Sequence, residues 1–328
     1  MKTLYHVSAS PHVRSGVTTS IIMRDVVIAL LPTCAVGVYQ FGLRALIILL
    51  VSTLSAAVTE YVYLALMKKK HVPYECSAIV TGLLIGMNMP ATVPIWIPVV
   101  GSVFAILVVK QLFGGLGQNF MNPALGARCF LFLCFANRMN DFAIEAKTGT
   151  ALLNFGAAAI DGISGATPLA ALKAGESISL FDAFFGFTGG VIGETSTACL
   201  LLGALYLVIR KVISLRIPLI YLASFSAFVL LFGGHGMDLT FLACELCTGG
   251  LMLGAFFMAT DYVTCPITPW GQVLYGVVLG VLTGIFRIYG NTAEGVSYAI
   301  ILGNLLVPLI EKATKPTAFG KGGMKHEK

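Results

Sequence analysis

The chain is dominated by long apolar runs with few charged residues inside them, and a run of about 20 apolar residues can cross a bilayer as a helix. Of its 328 residues, 57% are apolar and 11% are charged, whereas soluble proteins carry about 25% charged residues. A soluble domain of this size could not bury so much apolar surface. We therefore expect an all-α polytopic membrane protein embedded in a lipid bilayer. The composition excludes a soluble enzyme, a disordered chain and a nucleic-acid-binding protein.

Polar or glycine-rich breaks divide the apolar sequence into ten segments, and we predict that each is a transmembrane helix. The first four segments cover residues 22–41, 43–67, 76–89 and 93–113. The fifth follows the glycine-rich turn that begins at Gly114 and ends near residue 136. The last five cover residues 187–209, 217–232, 241–259, 273–286 and 295–310. The predicted organisation is a cytoplasmic segment (1–21), a five-helix repeat (22–136), an outer loop (137–181), a second five-helix repeat (182–311) and a cytoplasmic basic tail (312–328).

The third and eighth segments are both short and interrupted, and they occupy matching positions in the two halves. The third contains Thr81 and Gly82 and stops at Pro90, and the eighth contains Thr248 and Gly249. Halves of five spans each must have opposite orientations in the membrane. The pattern therefore predicts two inverted five-helix repeats whose broken helices meet near the middle of the bilayer.

The orientation follows from the distribution of basic residues, because cytoplasmic loops carry an excess of Lys and Arg. With the N-terminus inside, 14 basic residues fall at cytoplasmic positions and 5 at outer positions, while Arg24 and Arg128 lie within spans. We therefore predict a multi-pass protein of the cytoplasmic (inner) membrane. Both termini are expected inside and the loop 137–181 outside.

Four ionisable residues interrupt the apolar segments, at a cost of about 2.5–3.5 kcal/mol each on insertion scales. They are Glu60, Arg128, Glu194 and Glu245. One interpretation is a cation path through the helix bundle. The other is that these groups form Arg–Glu pairs that stabilise packing, or reach the interface from a helix end. The residues themselves leave both interpretations open.

The cysteines and histidines do not form a recognisable metal site. The eight cysteines lie in or beside apolar segments, so we expect packing thiols, and the one CxxC pair, Cys244 and Cys247, has no second pair to complete four ligands. None of the five histidines lies in the middle of an apolar run. This argues against a b-type cytochrome, which needs axial histidines within its spans.

The outer loop contains a short helix signal next to a threonine. Pro168 suits the first position of a helix, Thr167 suits the N-cap and Gly175 suits the stop. A helix start favours phosphate. A threonine is a poor nucleophile, but it can accept a phosphoryl group that another enzyme delivers.

This loop contains the motif Ser164-Gly165-Ala166-Thr167. It resembles the flavinylation motif of the membrane subunits of Rnf and sodium-pumping NADH:quinone oxidoreductase complexes. The resemblance implies that a separate flavin transferase joins FMN to Thr167 through a phosphoester. Two further stretches are similar to the same family: residues 114–124, which lead into the fifth span, and 256–266, which follow the eighth. Tyr262 and Cys265 depart from the family pattern in the second stretch, where proline and serine are usual.

The short N-terminal segment favours the RnfD branch of the family over the quinone-reducing branch. The resemblance then implies partners: the membrane subunits A and E with an iron–sulfur cluster, the flavin-bearing G subunit on the outer side, and the peripheral subunits B and C, which handle ferredoxin and NAD. It also implies a second, noncovalent riboflavin in the cytoplasmic half. The chain would be active only as part of this redox-driven translocase.

The mechanism implied by the resemblance is electron relay through FMN on Thr167, coupled to transport of Na⁺ or H⁺. Asn119, Asn122, Thr260 and Asp261 are then candidate polar linings of the broken-helix region. Helix capping and interhelical hydrogen bonding are the alternative role for these four residues. Two other functions stay open: the flavin-bearing subunit of the quinone reductase, and a solute channel or transporter without redox activity, which can share this architecture.

Overall fold

The computed structural model describes residues 16–68, 76–142, 168–173, 178–186, 189–234, 236–290 and 295–316. Every regular element within these ranges is helical, which confirms the all-α prediction. The helices are α1 (Thr19–Phe41), α2 (Leu43–Leu66), α3 (Ser77–Met87), α4 (Trp96–Phe104, continued as a π-helix over Ala105–Gln111), α5 (Pro123–Met139), α6 (Pro168–Lys173), α7 (Leu180–Phe185), α8 (Thr197–Ile209), α9 (Arg216–Phe232), α10 (Leu239–Cys247), α11 (Leu251–Leu253, continued as a π-helix over Gly254–Met258), α12 (Pro269–Tyr289) and α13 (Val296–Thr314).

Short polar side chains define where several helices begin. Thr18, Asn122, Asp238 and Thr268 each accept hydrogen bonds from backbone N–H groups in the first turn of α1, α5, α10 and α12. In α5 and α12 the cap is followed by proline, whose missing N–H needs no partner there. The same polar residues separate the apolar segments of the sequence, so the helix starts follow from local chemistry.

Among the described residues, four helices are long and apolar enough to cross a membrane: α1, α2, α12 and α13. The pair of α10 and α11 with its continuation passes the same test as one span bent by 64°. Shorter apolar helices are α3, α4 with its continuation, α8 and α9. Large apolar side chains such as Leu54, Leu231 and Leu309 are exposed on the outer faces of these helices, as expected for a surface in contact with lipid. The ten-span count stays a prediction.

The sixth predicted segment, 187–209, is helical over a shorter range than expected. Its helix begins only at Thr197, and residues 189–196 have no regular structure. This stretch pairs with the chain that follows α3, since the N–H groups of Ile192 and Gly193 donate to the carbonyls of Met89 and Met87. A Cβ on Gly193 would lie 2.6 Å from that of Met87. The backbone therefore finds its partners here outside a helix.

The two interrupted segments differ from each other. The eighth is broken as predicted: α10 ends at Cys247, Gly249 and Gly250 both have φ +68°, and α11 begins at Leu251. We call residues 248–250 the helix break. The third segment is not broken, because α3 is one continuous short helix that ends at Met87. The prediction of two broken helices is correct for the second half only.

Most helix contacts lie within one half of the chain or the other. Helix α2 packs on α3 and on α4, and α9 packs closely on α12. Helix α12 also packs on α13. Contacts between the two halves join α1 to α8 and α5 to α13, which are the first and the last predicted segment of each half. Gly280 of α12 permits the closest approach, since a Cβ there would lie 1.9 Å from Oγ of Ser224 on α9.

Candidate functional site

The motif residues Ser164, Gly165, Ala166 and Thr167 lie outside the described residues, as does the predicted stop at Gly175. The short helix predicted directly after Thr167 is confirmed, because α6 begins at Pro168. Its side chains Leu169 and Leu172 are buried, at 3% and 6% exposure. The chain immediately after the motif is thus anchored in the protein by apolar packing.

Helix α6 lies over the helix break of the eighth segment. A Cβ on Gly249 would be 2.6 Å from Cδ2 of Leu169, so the absence of a side chain at Gly249 makes room for α6. At the other end of α6, Nζ of Lys173 donates to the carbonyl of Gly290, which follows α12. The short helix therefore contacts both the helix break and the C-terminal end of α12.

Arg287 of α12 satisfies the carbonyls at the helix break. Its Nη1 donates to the Glu245 carbonyl (2.6 Å) and to Oε2 of the Glu245 side chain (2.8 Å). Its Nη2 donates to the carbonyls of Thr248 (2.8 Å) and Gly249 (3.1 Å). Only 2% of the Arg287 side chain is exposed, and its Nε has no hydrogen-bond partner among the described residues. A buried donor without a partner is rare in folded proteins.

A cavity of about 170 Å³ lies beside this cation, and we call it the outer cavity. Leu169, Leu172 and Lys173 of α6 form one side of it, and Val229, Phe241 and Ile288 contribute apolar walls from α9, α10 and α12. Glu245 and Arg287 complete the lining. The outer cavity therefore has apolar walls with a few polar groups, which is the usual character of a cofactor pocket.

A second buried ion pair, Arg128–Glu194, also contacts the helix break. Nη1 of Arg128 on α5 lies 3.2 Å from Oε1 of Glu194 and 2.5 Å from Oδ1 of Asn88, which follows α3. Glu194 packs against Gly250, where a Cβ would be 2.3 Å from its Oε1. Arg287 thus lies at the C-terminal end of α10 and Glu194 at the N-terminal end of α11. Each charge complements the partial charge of the helix end that it faces.

The four polar residues predicted to line the broken-helix region are brought together elsewhere. A cavity of about 80 Å³ lies between the ends of α1, α3, α8 and α11, and we call it the inner cavity; it is lined by Asn119, Asn122, Thr260 and Asp261. The alternative capping role is observed as well, because Asn122 caps α5 and the Thr260 hydroxyl donates to the Phe256 carbonyl. These residues therefore combine a structural role with exposure to a common cavity.

Lys110 also lines the inner cavity and was not among the predicted site residues. Its Nζ lies 2.7 Å from Oε1 of Glu60 and donates to Oγ of Ser77 at 2.7 Å, and only 2% of its side chain is exposed. The Gln111 amide also donates to Glu60 at 2.7 Å. The count of basic residues placed Lys110 on the cytoplasmic side and Arg287 on the outer side, and the structure shows that both side chains are buried. The sequence offered one indication of this burial, because Lys110 and Arg287 both lie within four residues of the end of an apolar run.

Asp261 lies in the loop between α11 and α12 at the wall of the inner cavity. Desolvation raises the pKa of its carboxyl group above the ordinary value. Hydrogen bonds from the Val263 N–H and the Thr264 hydroxyl oppose the rise. A carboxyl group with a raised pKa can exchange a proton or a cation closer to neutral pH than an ordinary aspartate can.

One face of α12 carries buried polar side chains along much of its length. The Tyr275 hydroxyl lies 2.7 Å from the side-chain amide of Asn304, and the Tyr221 hydroxyl lies 2.6 Å from the Thr283 hydroxyl. Arg287 follows Thr283 by one turn. Within the described ranges, no group of three or more His, Cys, Asp or Glu residues could hold a metal ion, and Cys244 and Cys247 are free thiols.

The chain is similar to known proteins over almost its whole length. The model of the NQR2, RnfD, RnfE family matches residues 6–320. The chain is 46% identical, over 98% of its length and 97% of the relative, to the D subunit of the Na⁺-translocating ferredoxin:NAD⁺ oxidoreductase complex of Acetobacterium woodii. It is 37% identical to the D subunit of the proton-translocating counterpart in Clostridium ljungdahlii (97% of each chain). It is 38% identical to the D subunit of an ion-translocating oxidoreductase complex of Stutzerimonas stutzeri (92% of each).

Proposed function

The chain belongs to the NQR2, RnfD, RnfE family, and we propose that it is the D subunit of an ion-translocating ferredoxin:NAD⁺ oxidoreductase complex. The observation that carries this proposal is the 46% identity over 98% of the chain to a relative with that name. The chain is expected to act as one membrane subunit of the complex and to have no activity alone. Removing it from the complex should abolish ferredoxin-dependent NAD⁺ reduction in membranes, and restoring it should recover the activity.

We propose further that FMN is bound covalently to Thr167. The motif at 164–167 supports this, and so does the outer cavity, whose wall begins at α6, directly after Thr167. When bound, FMN supplies the redox chemistry, while the chain supplies its position, its polar surroundings and exclusion of water.

Co-expression with a flavin transferase tests this assignment. After denaturation, in-gel flavin fluorescence should remain on the wild-type chain and disappear in Thr167→Ala. Thr150→Ala, in the same outer loop, is the matched control and should keep the fluorescence. An adduct that persists in Thr167→Ala would assign the flavin to another residue, and no adduct on the wild type would contradict covalent binding.

The inner cavity is the proposed place of ion coupling. Asn119, Asn122, Thr260 and Asp261 offer oxygen ligands or proton acceptors on its wall, and the pair Lys110–Glu60 adds a carboxylate nearby. An ion and a redox centre are coupled only if the charge of one changes the affinity for the other. Asp261→Asn removes a negative charge from this wall, whereas Asn119→Asp keeps an oxygen ligand and adds a negative charge. Asp261→Asn should therefore reduce ion transport by the assembled complex more than Asn119→Asp does.

The arrangement in the membrane completes the proposal. We propose ten spans in two inverted repeats, both termini in the cytoplasm and residues 137–181 outside the inner membrane. The contacts of α1 with α8 and of α5 with α13 support the repeat, because each joins segments at matching positions of the two halves. The proposed partners are subunits A, B, C, E and G, with a flavin transferase for maturation and a noncovalent riboflavin in the cytoplasmic half.

The quinone-reducing branch of the same family is the second candidate, because the matching family model includes it. The names of the relatives favour ferredoxin and NAD⁺. Quinone-dependent oxidation of NADH by the purified complex would support the second candidate, and ferredoxin-dependent reduction of NAD⁺ would support the first. A channel or transporter without redox activity would be supported only if native membranes contained the chain without any flavin.

A further inference from the structure

We propose that Asn304 of α13 is a positioning residue for the ion site at the inner cavity, and that it acts from behind the cavity wall. This inference deepens the proposed role of the inner cavity in ion coupling and rests on it. Asn304 lies outside the lining of the cavity. Its side-chain amide connects the two chain segments that carry the polar lining residues, which are the start of α5 and the turn 261–265.

Asn304 is the single polar residue in the apolar stretch 299–310 of α13, and it is only 2% exposed. Gly303 beside it has no side chain, and a Cβ there would lie 3.1 Å from Cε2 of Tyr275 on α12. The tyrosine ring can therefore pack against α13, and its hydroxyl lies 2.7 Å from the Asn304 amide. Burying an amide is costly unless its donors and its acceptor have partners.

The Asn304 amide has a partner for each of its groups in one orientation. Its nitrogen then lies 2.7 Å from the Tyr275 hydroxyl and 3.2 Å from the carbonyls of Ile300 and Thr264. Its oxygen accepts from the backbone N–H of Asn122 at 3.2 Å. The opposite orientation would place the oxygen against the two carbonyls and the nitrogen against an N–H group. The pairing of donors with acceptors therefore assigns the orientation of the amide.

The first segment that Asn304 holds is the turn 261–265. The backbone N–H groups of Thr264 and Cys265 donate to the Asp261 carbonyl at 3.3 and 3.1 Å, which closes the turn. The Thr264 hydroxyl also donates to the Asp261 carboxylate at 3.4 Å. By donating to the Thr264 carbonyl, Asn304 anchors the residue that contacts Asp261 directly. It thereby helps to determine where the carboxylate lies on the cavity wall.

The second segment is the start of α5. Oδ1 of Asn122 caps this helix by accepting from the N–H groups of Ala124 at 3.0 Å and Leu125 at 3.4 Å. The backbone N–H of the same Asn122 donates to Asn304. Asn122 and Asp261 belong to different halves of the chain, and both line the inner cavity. One buried amide therefore links the positions of cavity residues from the two halves.

An indirect contact of this kind can control the affinity of an ion site. Residues behind a metal site orient its ligands, and their loss usually lowers metal affinity by about 10–100-fold. The alternative role of a buried amide in a membrane protein is to hold helices together. Loss of helix packing alone would reduce the stability of the complex and leave the ion affinity of the assembled site unchanged. The two roles therefore differ in a measurable way.

The test uses the complete purified complex, with the wild-type chain or with Asn304→Leu, which has a similar volume and no hydrogen-bonding groups. Ferredoxin-dependent NAD⁺ reduction is titrated with Na⁺ at constant pH, or with H⁺ if the wild type does not respond to Na⁺. In Asn304→Leu we expect the half-saturating ion concentration to rise about tenfold. The rate at saturating ion should be retained, since the electron-transfer steps do not involve Asn304.

Tyr221→Phe is the matched control and should leave the half-saturating concentration unchanged. It removes an equally buried hydroxyl that is bonded to Thr283 and lies outside the lining of the inner cavity. Tyr275→Phe covers the case in which Asn304→Leu does not assemble. It removes one partner of the Asn304 amide and keeps the ring, so the half-saturating concentration should rise about threefold, as expected for loss of one hydrogen bond.

Asp261→Asn separates this inference from the proposed function of the inner cavity, and it should also raise the half-saturating concentration. If it does, an unchanged value in the assembled Asn304→Leu complex would overturn the positioning role alone. Where only Tyr275→Phe assembles, an unchanged value in that variant would do the same. An unchanged value in Asp261→Asn would overturn ion binding at the inner cavity, and this inference with it.

Discussion

At the scale of single residues, three cations are buried almost completely and each is paired with a carboxylate: Lys110 with Glu60, Arg128 with Glu194, and Arg287 with Glu245. All three carboxylates could be predicted from the sequence, because they interrupt apolar runs. Lys110 and Arg287 could not be recognised as their partners, since the apolar pattern gives segment ends but not the depth of a side chain. The pairing supports the packing interpretation of these acidic residues.

We expect loss of one partner of a buried pair to be costly. Glu194→Gln should destabilise the chain by about 3–5 kcal/mol, because Arg128 remains buried without its carboxylate. The double variant Arg128→Met, Glu194→Leu should recover most of this loss, since an apolar pair of similar volume needs no charge compensation. Thermal unfolding in detergent would measure both. Equal stability of Glu194→Gln and wild type would show that the pair contributes nothing to stability.

At the scale of helices, the sequence predicts where most elements occur. It does not predict reliably where a helix is interrupted or where it begins late. The caps and prolines that begin α5 and α12 follow from local residues. The unbroken α3 does not, because its Thr81-Gly82 pair has helical geometry, whereas Gly249 and Gly250 have positive φ. The late start of α8 at Thr197 depends on backbone hydrogen bonds to the chain after α3, and such a long-range partner leaves no local pattern.

The contact between α9 and α12 gives a prediction for a single glycine. Gly280→Ala should destabilise the chain by about 1–3 kcal/mol, because the added methyl group would overlap Ser224 and the Phe225 backbone. Gly190→Ala is the matched control, since nothing lies within 4 Å of a Cβ there. Thermal unfolding of the two variants in detergent compares them directly. A Gly280→Ala variant as stable as Gly190→Ala would mean that the two helices are farther apart than described.

At the scale of the whole molecule, two cavities lie at different ends of the helix bundle, with buried polar side chains of α12 between them. The outer cavity adjoins the helix that follows residues 164–167, and the inner cavity carries Asp261. This separation agrees with the proposal of a flavin at one end and ion coupling at the other. Lys110 and Arg287 are buried, and one comes from each side of the predicted basic asymmetry, so the count of basic residues still favours the predicted orientation.

Labelling of introduced cysteines tests this orientation. In intact cells, a maleimide that does not cross membranes should react with Ala151→Cys in the outer loop and not with Gly322→Cys in the basic tail. Inverted membrane vesicles should give the opposite result, which also serves as the control for accessibility. Each variant is compared with the wild type, whose eight native cysteines set the background. Labelling of the tail in intact cells would contradict the proposed topology.

Peptide mass spectrometry of the chain, taken from the complex purified from its native membranes, tests the central claim most directly. We expect the peptide containing Thr167 to be heavier by one FMN less one water, with the added mass on the threonine side chain, and we expect Thr167→Ala to lack it. The peptide at its unmodified mass, in a complex that still reduces NAD⁺ with ferredoxin, would contradict covalent flavin on Thr167 as the electron carrier of this chain.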